Sequence, residues 1–187
     1  MSSLKRYALD IAAFVWGVAE ATLFFVVPDV LLSYIGLKRG VESAAKACVF
    51  AAIGAAVGGA IMYLWSASDP AAALSAVEAV PAISNSMSAR ALISMEEQGW
   101  LWAAFVGPLT STPYKVFAVW APHVGAPFST FVAASVLARL PRFLIVSIGV
   151  ALIGRGLSRW LGERQLLWLL IGAWLLFYAV FFALMPN

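Results

Sequence analysis

Apolar positions fall into five long runs along the chain, at 7–37, 47–65, 100–124, 128–153 and 165–185. The runs are continuous rather than striped, which is the pattern of helices surrounded by lipid. Two of them, 47–65 and 165–185, are free of charge and about one bilayer long. The run at 128–153 is interrupted by Arg139 and Arg142. The runs at 7–37 and 100–124 differ in kind. Each has a polar, proline-bearing centre, EATLFFVVPD over 20–29 in one and GPLTSTPYK over 107–115 in the other. Irregular backbone at membrane depth survives only where it is buried in protein or lines a wet cavity. Each of these two segments therefore reads either as a kinked spanning helix or as a re-entrant hairpin that enters and leaves on one side.

Loop charge separates the two readings. With the amino terminus cytoplasmic, two hairpins place Lys5, Arg6, Lys38, Arg39, Lys46, Arg155, Arg159 and Arg164 inside and Arg90 alone outside. That is a positive-inside arrangement. A full span at 7–37 would instead put Lys38, Arg39 and Lys46 outside. The expected organisation is one membrane domain over 1–187: hairpin 7–37, span 44–65, external loop 66–98, hairpin 100–127, span 128–153 and span 165–185. Hairpin-then-span occurs twice with opposite entry sides. The expected fold is therefore all-α and polytopic, an inverted repeat with an extra C-terminal transmembrane helix. In transporters such repeats carry a midplane site built from the broken segments. The loop 66–98 reads either as short helices on the outer surface or as a mobile linker.

Composition agrees with a membrane chain. The 187 residues are 63% hydrophobic and 11% charged, with mean hydropathy +0.93, against roughly half apolar and about a quarter charged in ordinary globular domains. Eight Trp and twelve Phe suit a lipid-facing surface. The run after Lys5 and Arg6 outlasts the apolar core of a signal peptide and contains Glu20 and Asp29, so no cleaved leader is expected. The single cysteine, Cys48, reads as a small packing residue.

The charges inside the apolar runs are the candidates for function. An ionised Glu20 or Asp29 in hydrocarbon is costly unless paired or protonated. Glu20 reads either as a structural hydrogen-bonder or as a proton-binding group, because desolvation favours its neutral form. Arg139 and Arg142 are three apart and share a helix face. Each costs about 2.5–3.5 kcal/mol at that depth on the insertion scale, so an anionic partner is required. That partner is either Glu20 or Asp29 in a structural salt bridge, or a phosphate held by several charge-assisted bonds. In the second hairpin, Gly107, Pro108 and Pro113 break the helix, as Pro28 does in the first. Thr110, Ser111 and Thr112 offer hydroxyls to the freed backbone. Lys115 either snorkels to the surface or adds positive charge to a head-group pocket.

Other features carry less. His123 has no partners for a metal set, and no metal or cofactor is expected. Gly54-x-x-x-Gly58 followed by Gly59 permits close helix approach, for internal packing or for a homodimer. No nucleophile elbow, zincin motif, P-loop or aspartate cluster is present, and no enzyme is expected.

EATLFFVVPD, together with PYKVFAVWAPHVGAPFSTFVAASVLARLPRF over 113–143, resembles the DedA superfamily of SNARE-associated or VTT-domain membrane proteins, especially its short YqaA-like branch. The resemblance covers most of 10–155. It implies a bacterial inner-membrane protein with two facing re-entrant hairpins, linked to lipid flipping, scrambling and undecaprenyl-phosphate recycling with proton dependence. By motif position, Glu20 and Asp29 match the family's membrane acids, and Arg139 and Arg142 its essential basic residues. Lys115 stands where other branches carry arginine. Ala121-Pro122 departs from the usual Ala-Gly. The expected function is transport of a phosphate-bearing lipid between leaflets, by flippase or scramblase action. Lys115, Arg139 and Arg142 would bind the head group, and Glu20 and Asp29 would couple protons. The expected partners are an anionic or phosphate-bearing membrane lipid and protons, with no nucleic acid. A structural or chaperone-like protein with internal salt bridges, or an ion-coupled small-solute carrier, is the alternative.

Overall fold

The computed structural model describes residues 3–107 and 112–184, and among them the chain is all-helical. The helices are α1 Ser3–Ala21, α2 Asp29–Ser68, α3 Pro70–Glu78, α4 Asn85–Gln98, α5 Trp100–Val106, α6 Tyr114–Trp120, α7 Phe128–Leu157 and α8 Glu163–Leu184. Three of them, α2, α7 and α8, are long and apolar enough to cross a membrane, as a membrane protein requires.

Helix α2 is two arms, not one rod. Gly40 breaks it with φ 79° and ψ −177°, a backbone conformation that only glycine adopts at low cost. Contacts give the direction of each arm. Asp10 meets Lys46, and the backbones of Phe14 and Val18 lie against Gly54 and Gly58, so α1 runs parallel to the 41–68 arm. Asp29 meets Arg142, and Gly36 and Leu37 meet Ser147 and Gly154, so the 29–39 arm runs parallel to α7. Cys48 against Ser147 and Tyr63 against Ala126 make the 41–68 arm antiparallel to α7. The chain therefore reverses twice here, once over 22–28 and once at Gly40.

Close approach rests on small residues. The 41–68 arm is rich in Ala and Gly, which lets α1 and α7 pack on two of its sides. A Cβ at Gly17 would strike the Ala51 carbonyl, and one at Gly54 the Phe14 carbonyl. Gly58 faces α1 and Gly59 faces the Tyr114 ring. The Gly54-Gly58-Gly59 surface is thus filled within the chain. Cys48 is buried and shares a hydrogen bond with Ser147. Gly107, expected as a breaker, has the Phe117 ring where a side chain would be.

Two apolar cores result. One gathers Met62, Val77, Met95, Phe117 and Phe131; the other gathers Ala13, Leu32, Ile35, Cys48 and Phe143. The 66–98 segment is helical and packed rather than a linker. Asp69 and Ser84 cap α3 and α4 through the Ala72 and Met87 amides, and Val77, Ala91 and Met95 enter the first core. Trp120 Nε1 donates to Ser88 Oγ and fixes α4 to α6. Helix α7 continues through Pro141 without a break.

Candidate functional site

Arg139 lies at the seam between the two cores. Its guanidinium carbon is 5.3 Å from the Tyr114 ring centroid and 5.0 Å from that of Phe143, and these rings belong to different cores. Such stacking suits a weakly hydrated guanidinium. Arg139 is 3% exposed and donates through Nη2 to Glu20 Oε2. Its Nε is buried with no hydrogen-bond partner among the described residues. Glu20 reaches this point because it lies in the last turn of α1, just before the reversal over 22–28.

Arg142 is one helical turn on and less buried. Its Nη2 donates to Asp29 Oδ2 at 3.3 Å. Asp29 opens α2, directly after Pro28, which occupies the cap position. It is buried, and its Oδ1 has no hydrogen-bond partner among the described residues. The arginine pair therefore meets both acids, Glu20 with Arg139 and Asp29 with Arg142.

Lys115 is 2% exposed and does not snorkel. Its Nζ donates to the Phe24 carbonyl at 2.7 Å. That oxygen belongs to the non-helical 22–28 segment, so the start of α6 touches the first reversal directly. Tyr114 beside it shares a hydrogen bond with Ser135 Oγ, which in turn donates to the Phe131 carbonyl. Every buried hydroxyl in this chain of contacts has a partner.

These groups share one cavity of about 390 Å³. Glu20, Lys115, Arg139 and Arg142 all line it, with Thr112, Pro113 and Tyr114. Asp29 does not; it stands behind Arg142. Pro108, Thr110 and Ser111 lie outside the described residues. Thr112 donates its amide to the Gly107 carbonyl, and Pro113 is the cap of α6. The lining thus holds three basic side chains and one carboxylate. A ligand with a compact negative charge matches that excess.

Two walls of the cavity were not foreseen from the sequence. One is aromatic and comes from α8, through Phe177, Tyr178 and Phe181. Helix α8 is seated by two polar contacts: Val27 N–H donates to Tyr178 Oη at 2.9 Å, and Trp174 Nε1 donates to Ser33 Oγ at 3.0 Å. The signal was present as aromatic residues at 174, 177, 178, 181 and 182, a stripe at helical spacing. The other wall is the α3–α4 connection, through Val80, Pro81 and Ile83. Its only sequence signal was a short apolar patch, AVPAI, over 79–83 of a polar loop. His123 is exposed and packs edge-on against Trp120. No cluster that could hold a metal occurs among the described residues.

No protein-family model matches the chain, and no curated protein or solved structure matches it significantly.

Proposed function

We propose that this chain moves a phosphate-bearing lipid between the leaflets of a bacterial inner membrane, in the manner of the DedA superfamily that its motifs resemble. The observation that carries the reading is the lining of the 390 Å³ cavity, where Lys115, Arg139 and Arg142 face the same space as Glu20. A phosphate oxygen has several donors within that lining, and an arginine fork engages two oxygens at once. Glu20 and Asp29 hold the two arginines until the head group arrives. Protonation of Glu20 would release Arg139, which gives a route to proton coupling.

The repeat with two re-entrant hairpins belongs to the same proposal. Its support is directional. The 29–39 arm runs opposite to the 41–68 arm that follows it. Helix α6 runs from Gly59 towards Ser66 of that arm, through Tyr114 and Val119, and so opposes α7 that follows it. Each half thus has a short arm antiparallel to its own long helix, and the long helices oppose each other. In this reading Lys38 and Gly40 are cytoplasmic, Asp69 and Glu97 external. Cysteines placed at 42, beside the Gly40 turn, and at 97 in a Cys48→Ala background should label from opposite sides; labelling of 42 only from the periplasm contradicts it.

A structural protein is the second reading, and the two ion pairs favour it, since each arginine already has an acid. Reconstitution into liposomes with a panel of labelled lipids, with and without a pH gradient, separates the two. Transport predicts faster exchange of phosphate-bearing lipids than of a labelled diacylglycerol. Equal rates with and without the protein support the structural reading.

A further inference from the structure

A second site lies at the other end of α8, far from the cavity already described and sharing no lining residue with it. Two spaces meet there. One, about 220 Å³, is lined by Lys38, Gly40, Arg155, Ser158 and Glu163 among others. The adjoining one, about 160 Å³, has only apolar or glycine lining, including Val150, Ile153, Leu157, Leu169 and Leu170. Both are bounded by Leu37, Gly154 and Leu166, so the polar space opens into an apolar groove between α7 and α8.

Glycines make the room. Gly154 has no side chain where Leu37 enters, and the space beside Gly40 is empty to 4 Å around where a Cβ would be. Charge at the mouth is net positive. Lys38 Nζ is 3.0 Å from Glu163 Oε2, but that carboxylate is 88% exposed. The Arg155 guanidinium has no ion-pair or hydrogen-bond partner among the described residues, and Ser158 Oγ donates to the Arg155 carbonyl. The groove walls face outward, with Ile153 and Leu169 more than half exposed. Both walls belong to helices long and apolar enough to span a bilayer. An occupant must therefore be anionic at one end and apolar along the other.

We infer that this is a binding site for an anionic phospholipid, its phosphate at Arg155 and Lys38 and one acyl chain in the α7–α8 groove. Basic pockets between membrane helices recognise such head groups. The bound lipid would act as a wedge that seats α8. It would add to the seating that Trp174 and Tyr178 give further along, at the end where Leu166, at the junction of the two spaces, is the buried residue of the helix. Its other half carries Phe177, Tyr178 and Phe181 to the central cavity. Lipid at one end of α8 thereby sets the aromatic wall at the other.

The test uses the full chain purified in detergent and stripped of lipid. Native mass spectrometry and thermal unfolding follow titration with dioleoyl phosphatidylglycerol, dioleoyl phosphatidylcholine and glycerol 3-phosphate. The phosphatidylglycerol should bind and raise the melting temperature, while the other two bind at least about tenfold more weakly. Arg155→Ala should weaken the anionic lipid about fivefold to tenfold, and Arg155→Lys should restore most of it. Leu169→Trp fills the groove without touching charge and should weaken the lipid alone. Lys115→Ala alters only the central cavity and should leave this site's stabilisation in place. Unchanged phosphatidylglycerol binding by both Arg155→Ala and Leu169→Trp overturns the proposal. So does equal binding of phosphatidylcholine in the Lys115→Ala background, where the central cavity has lost a cation, or glycerol 3-phosphate binding there as tightly as the lipid. A change of oligomeric state in place of lipid binding would make the face a subunit contact and overturn it likewise.

Discussion

The Glu20–Arg139 pair at the core seam and the Lys38–Glu163 pair at the basic end of the bundle are built from the same chemistry and differ in burial. Glu20, Asp29, Lys115 and Arg139 are each 5% exposed or less. At the basic end, the Lys38 side chain is 28% exposed and that of Glu163 88%; Lys46 is 52% exposed, and its partner Asp10 is buried. A charge left alone in the Glu20–Arg139 pair has no water to turn to, whereas Lys38 or Glu163 left alone is hydrated in place. Breaking a buried pair by removing one partner costs about 3–5 kcal/mol, while exposed pairs contribute about 0–1 kcal/mol. Burial thus separates charges that act as a coupled unit from charges that act singly. In the proposed function a ligand exchanges with a carboxylate at the seam, where Arg139 is buried against Glu20 and requires an anion.

The largest expected effect is on Arg139. Arg139→Ala strands Glu20 between two apolar cores and should lower unfolding free energy by about 3–5 kcal/mol. Adding Glu20→Gln in the same chain should recover a large part of that loss, which thermal or denaturant unfolding of the single and double variants would read. Additive losses would mean that the pair is not coupled, and the contrast with the end pairs would collapse.

Arg142→Ala comes next. Arg142 is partly exposed and its contact with Asp29 is long, so a loss of about 1–3 kcal/mol is expected. Its effect on transport should exceed its effect on stability. Tyr178→Phe follows, removing the hydroxyl that accepts from Val27 N–H. About 1 kcal/mol should be lost, with faster amide exchange at Val27 as the specific readout. The smallest effect belongs to Lys38→Ala, at about 0–1 kcal/mol in lipid-free detergent. A Lys38→Ala loss as large as that of Arg139→Ala would contradict the burial argument.

Much of the seam was legible in the sequence because cost is local. Two arginines in one apolar helix demand anions, and Glu20 and Asp29 were the acids in the other broken segment. Which arginine takes which acid was not legible, because spacing orders residues along one helix and not across two. Nor was the role of Asp29 as a group behind the cavity rather than in its lining. A reversal between 37 and 47 was expected, but its form was not: Lys38, Arg39 and Val41 look like an ordinary loop, whereas the turn is made at Gly40 between two helical arms. Tyr178 and Trp174 looked like generic lipid-facing aromatics, since an aromatic stripe does not say whether it meets lipid or protein. The 79–83 patch was hidden in a polar segment whose packing depends on Met95, Trp120 and the start of α6.

The most direct measurement of the central claim is the rate of lipid translocation in proteoliposomes for the Arg142 series. The label is carried on phosphatidylglycerol, with the same label on a diacylglycerol as the control. If Arg142 grips a phosphate, wild type should accelerate the phosphate-bearing lipid alone. Arg142→Lys keeps the charge but loses the fork, and should be clearly slower. Arg142→Ala should be slower still, by at least about tenfold, a loss on the order of one charge-assisted hydrogen bond. Both variants should remain inserted and folded. Full-rate transport by an Arg139→Ala, Arg142→Ala double variant, or an Arg142→Lys protein indistinguishable from wild type, would contradict the account and leave the seam a structural salt-bridge layer.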